Sequence, residues 1–106
     1  QTLAVGAQLE DSAAQGIGGA QEDDTATEAG AVYLFTRTGD TWSQIGYVKG
    51  SNTEAFDEFG SSLTLNRDGS LLAVGAQYED STAVGSNGDQ ADNSGLDTGA
   101  VYVFSR

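Results

Sequence analysis

Short apolar runs alternate with long polar segments along this chain. The runs at 3–8 and 72–77 have the length of β-strands, and so do those at 31–35 and 100–104, which are rich in β-branched and aromatic residues. None of the four alternates cleanly between apolar and polar positions. Strands that are buried on both faces have this pattern, so we expect sheets with neighbours packed on each side.

Two further strands are predicted between these runs. Residues 41–48 should pair back onto 31–37 as a hairpin. Residues 59–65 lead into Asn-Arg-Asp-Gly at 66–69, which is a turn signal, and should pair onto 71–77. Glycine-rich, Ser/Thr/Asp-rich text of this kind is typical of short strands that are joined by turns.

The chain also repeats itself. Residues 3–37 align with 72–106 without a gap at a constant offset of 69, and twenty of the 35 positions are identical. Each copy carries a long acidic, glycine-rich loop between its apolar ends, at 9–29 and at 78–98. Strong repeats indicate stacked supersecondary units that share a core. The predicted fold is therefore all-β, with a period of four antiparallel strands.

Two motifs connect these units to a known repeat. Phe59-Gly60 is followed by Val-Gly-Ala-Gln at 74–77, and the same four residues stand at 5–8. These residues resemble the Phe-Gly and Gly-Ala-Pro motifs of the FG-GAP repeat, with Gln in the Pro position. That repeat is the blade of integrin α-subunit-type β-propellers, and the chain is most similar to the bacterial extracellular form. The resemblance covers the whole chain.

The resemblance implies about one and a half propeller blades, with the strand order 2-3-4-1-2-3. Residues 1–50 then hold strands 2–4 of a first blade, and residues 51–106 hold strands 1–3 of a second. The outermost strand of the first blade carries Trp42, Ile45 and Tyr47, whose bulk suits the widening gap between radial sheets. Because open strand edges attract partners, we expect this segment to be stable only beside further blades or copies of itself.

Charge and composition narrow the range of functions. Sixteen acidic residues face four basic ones, and the net charge of −12 argues against nucleic acid and anionic lipid as partners. No stretch approaches the roughly 18 apolar residues of a membrane span, so no membrane insertion is expected. The chain has no His and no Cys, which removes Ser-His-Asp and Cys-His nucleophilic sites and the usual zinc sites. Its only lysine, Lys49, lies in no recognisable motif. We expect no enzyme activity.

The acids and glycines of the two loops recur in step, and two interpretations follow. In the first, Asp and Ser side chains cap turns by hydrogen bonding to the backbone. In the second, carboxylates and nearby carbonyls hold Ca²⁺, which takes about 6–8 oxygen ligands. The calcium loop of integrin-type blades does not carry over, because the turn at 66–70 is too short and holds one carboxylate. The candidate calcium ligands are Asp11, Asp23, Asp24, Asp80, Asp92 and Asn93.

Three classes of function are compatible with these features. The first is a non-catalytic repeat segment of an extracellular or cell-surface propeller that serves adhesion, ligand binding or surface architecture. Its partners are further blades or copies of itself, together with a protein or carbohydrate ligand. The second is a structural protein that assembles into rings or filaments through its open strand edges. The third is an accessory part of a secreted hydrolase.

Overall fold

The computed structural model describes all 106 residues and contains six strands and no helix. They form two three-stranded antiparallel sheets, with the orders β1-β2-β3 and β4-β5-β6. The all-β prediction is confirmed. There is no helix that could cross a membrane. The strands are β1 (Thr2–Ala7), β2 (Ala31–Thr38), β3 (Thr41–Val48), β4 (Phe59–Leu65), β5 (Leu71–Ala76) and β6 (Ala100–Ser105).

The two predicted hairpins form where the local sequence places them. The turn between β4 and β5 is closed by Asn66, whose N–H donates to the Leu71 carbonyl while its side-chain Oδ1 accepts the Leu71 N–H, both at 2.9 Å. Gly69 in this turn has φ +74°, a conformation that glycine adopts without strain. The turn is a plain hairpin turn, as the sequence predicts.

The two copies of the repeat fold into the same pairing register. In the first sheet Val5 pairs with Tyr33, and in the second sheet Val74 pairs with Tyr102, at the same offset of 69. Both pairs join the first strand of a copy to the strand that follows its long loop. The repeated stretches are therefore equivalent structural layers.

The core lies between the two sheets, which pack face to face. Phe59 is buried there, and its ring contacts the rings of Tyr102 and Phe104 edge-on, with centroid separations of 5.5 and 6.1 Å. Aromatic pairs favour this geometry because the positive ring edge meets the negative ring face. The buried members of the core are Val32, Val48, Phe59, Leu72, Val74 and Ala76.

Glycines let the start of β4 approach the first sheet closely. A Cβ on Gly60 would lie 2.7 Å from the Ala31 carbonyl oxygen, and a Cβ on Gly6 would collide with the Gly60 carbonyl. The Phe59 N–H donates to the Ala29 carbonyl at 2.9 Å across the same junction. The Phe-Gly motif of one unit thus meets the Gly-Ala motif of the preceding unit at a backbone-to-backbone contact.

Equivalent positions of the two copies are covered on opposite faces. Leu72 is 4% exposed whereas its counterpart Leu3 is 44% exposed, and Val32 is 0% exposed whereas its counterpart Val101 is 72% exposed. Each sheet therefore has a neighbour on one face only within this chain, and the expected second neighbour is missing on the other face. Leu3 lies on the exposed face of the first sheet. The equivalent face of the second sheet, which carries Leu72, is packed into the core.

The prediction that Trp42, Ile45 and Tyr47 of β3 fill the gap between sheets is correct only for Tyr47. Tyr47 is buried and its ring centroid lies 5.2 Å from that of Tyr33, as expected for a core residue. Trp42 and Ile45, however, are exposed. The pairing of β2 with β3 shifts by one residue between Leu34 and Phe35 and skips Ile45. Such a bulge leaves the extra residue unpaired, which explains why Ile45 does not fill the gap between sheets.

Candidate functional site

The repeated acids of the two loops hold the same backbone groups in both copies. Asp11 Oδ1 accepts the N–H of Glu28 at 2.7 Å, and Asp80 Oδ1 accepts the N–H of Asp97 at 2.8 Å. Glu28 and Asp97 both have φ +54°, so the carboxylate stabilises a left-handed residue at the same place in each loop.

A second acidic residue in each loop, Asp23 in the first and Asp92 in the second, links two parts of its own loop. Asp23 Oδ2 accepts the Ala13 N–H at 2.8 Å and the Thr25 hydroxyl at 3.0 Å, and these bonds hold the pKa of Asp23 below its usual value. Asp92 Oδ2 accepts the Thr82 hydroxyl at 2.6 Å and the Thr82 N–H at 2.9 Å, which likewise lowers the pKa of Asp92. Bonds to the charged form favour it, so both side chains stay ionised.

The loop serines and glycines are explained by the same scaffold. The Ser12 hydroxyl donates to the Ala20 carbonyl at 2.8 Å, and the Ser81 hydroxyl makes the same bond in the second copy. Gly19 packs so closely on the Ala14 side chain that a Cβ there would collide with it, and the second copy repeats that contact. The in-step recurrence of these residues therefore has a structural reason.

The structure does not bring the predicted calcium ligands together. Asp11, Asp23, Asp80 and Asp92 each accept a backbone N–H, as the capping interpretation requires. Asn93 donates its amide to the Glu54 carboxylate, at 2.7 and 2.8 Å, and Asp24 is exposed. No three acidic side chains are arranged to hold a metal ion. The residues do not form a calcium cage here, and the calcium hypothesis stays a prediction.

A buried ionic cluster lies where the first loop meets β3, and the sequence prediction missed it. The Lys49 ammonium lies 2.8 Å from Glu10 Oε2, and the Tyr47 hydroxyl donates to Glu10 Oε1 at 2.9 Å. Lys49 is fully buried, and the ion pair accounts for this, because lysine is almost never fully buried unless it is paired. The available signal was a lone lysine at the end of a strand in a chain that has sixteen acids.

Glu79 is the counterpart of Glu10 in the second copy, and it has no cation. Its Oε2 accepts the Ser81 N–H at 3.0 Å, and its Oε1 accepts the amide of Asn52 at 3.1 Å. Glu79 is 3% exposed, and neither of the two ion pairs of the structure involves it. The carboxylate of Glu79 is therefore buried without a cation, whereas the equivalent carboxylate of Glu10 is paired with Lys49.

Asp57 belongs to the same acidic region. Burial raises the pKa of Asp57 to about 7; the hydrogen bond from the Glu54 N–H opposes this rise, and the negative charges of Glu54, Glu79 and Asp80 add to it. Burial and the Glu79 charge also raise the pKa of Tyr102. The region around Glu79 thus has an excess of negative charge and disfavours further ionisation.

A groove of 560 Å³ opens beside Glu79. One wall is β6, where Val101 and Val103 are exposed, and the other wall is the loop segment 85–90. The groove offers a carboxylate, small side chains and the free edge of a sheet. Since the chain has no His and no Cys, the groove contains no Ser-His-Asp or Cys-His nucleophilic site.

One comparison with known proteins gives a match. The family model for the FG-GAP repeat matches residues 42–104, which is more than half of the chain and includes both the Phe-Gly and the Gly-Ala motifs of the second copy. No curated protein and no solved structure matches the chain. The chain belongs to the FG-GAP repeat family.

Proposed function

We propose that this chain is a non-catalytic segment of an extracellular β-propeller, in which its two sheets are neighbouring blades. The first sheet supplies strands 2, 3 and 4 of one blade, and the second supplies strands 1, 2 and 3 of the next. The propeller serves adhesion, ligand binding or surface architecture, and its ligand is a protein or a carbohydrate. The family match and the antiparallel sheets support the repeat and the all-β blade.

One observation carries the proposal. The face that is exposed on the first sheet, around Leu3 and Val5, is equivalent to the face of the second sheet that is packed into the core. The exposed face of the second sheet, around Val101 and Val103, is equivalent to the packed face of the first. The two ends of the segment are therefore complementary, so further units stack on either side by the contact already present between the two sheets.

The same complementarity supports a second candidate, which is a self-assembling structural protein. A contact between unlike faces closes into a ring when the rotation between units closes, and otherwise it produces an open filament. The free edges of β1, β4 and β6 offer additional pairing sites. The propeller predicts a closed assembly, whereas the structural protein predicts either a ring or an open filament, so an open filament would favour the second candidate. An accessory role in a secreted hydrolase is the third candidate.

Sedimentation of purified residues 1–106 distinguishes a closed assembly from an open one. A ring gives one fixed oligomer over a wide range of concentration, whereas a filament gives a ladder of masses that grows with concentration. A monomer that melts in one sharp cooperative transition would contradict both. Sedimentation velocity between about 1 and 100 μM covers the range of a contact of modest affinity.

Three matched Val→Glu variants test the role of the faces. Val5→Glu blocks one end and Val103→Glu blocks the other, so we expect each variant alone to be monomeric. A mixture of the two should form a 1:1 dimer and nothing larger, because each variant retains one intact face. Val84→Glu is the control, since Val84 is exposed in the second loop and lies outside the strands that form both faces, and it should assemble like the parent chain. Assembly of Val103→Glu alone would exclude the face-to-face contact.

A further inference from the structure

The groove beside β6 is the counterpart of a place that is filled in the first copy. There, β3 pairs with β2, and the segment that follows β3 lies against the first loop. Gly16 donates its N–H to the Gly50 carbonyl at 3.1 Å and accepts the Lys49 N–H at 2.8 Å. Gly18 donates to the Tyr47 carbonyl at 2.9 Å. The strand is thus held between β2 and the loop by backbone bonds on both sides.

The second copy has the same walls without the strand. Gly85 and Asn87 are equivalent to Gly16 and Gly18, and they have the same left-handed backbone, with φ +80° and +59°. Neither of their N–H groups makes a hydrogen bond within the chain. The outer edge of β6 is also unpaired. The second loop therefore has the backbone conformation that holds a strand in the first copy. The N–H groups of Gly85 and Asn87 are available for the hydrogen bonds that Gly16 and Gly18 donate there.

Charge identifies what the strand should carry. Oε2 of Glu10 accepts the Ser12 N–H at 3.2 Å and the Lys49 ammonium at 2.8 Å. Oε2 of Glu79 accepts only the Ser81 N–H, at 3.0 Å. A buried carboxylate gains stability from a cation that reaches it with good geometry. One hydrogen-bond position on Glu79 thus corresponds to the position that the lysine ammonium occupies in the first copy.

We propose that this groove binds an extended peptide strand that adds antiparallel to β6 and places a lysine ammonium on the Glu79 carboxylate. The strand has the chemistry of residues 41–50, in which lysine follows tyrosine by two positions and precedes glycine. Backbone bonds to β6 supply affinity, and the buried ion pair supplies selectivity for lysine. The inference deepens the proposed function, because the next repeat of a propeller would carry such a strand.

The test uses the full chain and a synthetic peptide of residues 41–50 that carries a fluorescent label at its N-terminus. Anisotropy titration measures the dissociation constant. A peptide with Lys49→Gln should bind at least about tenfold more weakly than the parent peptide, and the protein variant Glu79→Gln should lose a similar factor. Combining the two changes should cost little more than either alone, since both remove the same pair. Glu22→Gln, an exposed acid in the other loop, is the control and should bind like the parent chain.

Amide shifts locate the bound peptide. We expect the Gly85 and Asn87 signals in an ¹⁵N–¹H spectrum to move on binding, while those of Gly16 and Gly18 stay in place. Equal affinity of the lysine and glutamine peptides, or shifts confined to the first loop, would overturn the inference. Because the peptide substitution leaves the protein unchanged, this result does not depend on the folding of Glu79→Gln. The proposed function is tested separately by the mixture of Val5→Glu and Val103→Glu: a 1:1 dimer without peptide binding would reject only the inference.

Discussion

Replacing Lys49 with methionine tests the buried cluster that joins the first loop to β3. The substitution keeps most of the side-chain volume and removes the only cation within reach of Glu10. Lys49 is fully buried, and the Glu10 side chain is 13% exposed. The variant therefore leaves a carboxylate in a poorly solvated place without its partner, and this cost is larger than the net value of the intact pair.

The magnitude follows from the geometry. At 2.8 Å and an effective dielectric constant of about 20, the attraction between the charges is about 6 kcal/mol, which desolvation of both groups largely offsets. Breaking a buried pair by removing one partner typically costs about 3–5 kcal/mol. Glu10 keeps the Ser12 N–H and the Tyr47 hydroxyl as donors, so we expect about 3 kcal/mol. For a chain of this length that lowers Tm by on the order of 15 °C.

Urea unfolding followed by circular dichroism measures the effect, with all variants at one protein concentration. The double variant Glu10→Gln with Lys49→Met should be more stable than Lys49→Met alone, because it no longer buries an unpaired charge. Arg37→Met is the matched control: the Arg37–Asp40 pair is also short, at 3.1 Å, but it is exposed and should contribute nothing measurable. A loss for Lys49→Met no larger than that for Arg37→Met would refute the reasoning.

Three further predictions concern the acidic region, the junction and the loops. Because the pKa of Asp57 is raised to about 7, the folded state binds one more proton than the unfolded state between about pH 4 and 7. The contribution of Asp57 to stability is therefore present below about pH 4 and is lost as the pH rises through 7. Asp57→Asn should make the free energy of urea unfolding less dependent on pH between about 5 and 8, and an unchanged pH dependence would contradict this. Gly60→Ala should lower Tm in thermal melts far more than Gly18→Ala, since both glycines have positive φ but only Gly60 lacks room for a Cβ. Equal losses of Tm would contradict the close contact between Gly60 and the first sheet. At constant ionic strength, EDTA and millimolar Ca²⁺ should leave Tm unchanged if the loop carboxylates act as turn caps, whereas a rise with Ca²⁺ that Asp80→Asn abolishes would favour the calcium hypothesis.

The features that the sequence predicted well are local ones. The turn at Asn66 and the pairing of β4 with β5 depend on residues that are close in the chain, and turn chemistry determines both. The two copies share one pairing register, in keeping with their constant offset of 69. The bulge at Ile45 was not predictable in this way, because nothing in a run of strand-forming residues marks the position that the partner strand skips.

The site was harder to predict because its partners are distant in the chain. Glu10 and Lys49 are separated by 39 positions, and only the folded sheet brings the end of β3 to the first loop. The recurrent Asp residues suggested either calcium or turn capping, since both need the same oxygens. The choice depends on which donors lie within reach, as the bond from the Glu28 N–H to Asp11 illustrates, and that is a property of the loop path.

The segment 49–52 connects the two repeat units through side chains that point to different neighbours. Lys49 pairs with Glu10 of the first unit, whereas Asn52, three residues later, donates to Glu79 and accepts the hydroxyl of Tyr102 in the second. Loosening of either loop therefore weakens the anchorage of its neighbour, and unfolding should spread from unit to unit as nearest-neighbour cooperativity. A longer array of such units would gain collective rigidity with each repeat that is added, without any enlargement of the individual hydrophobic cores.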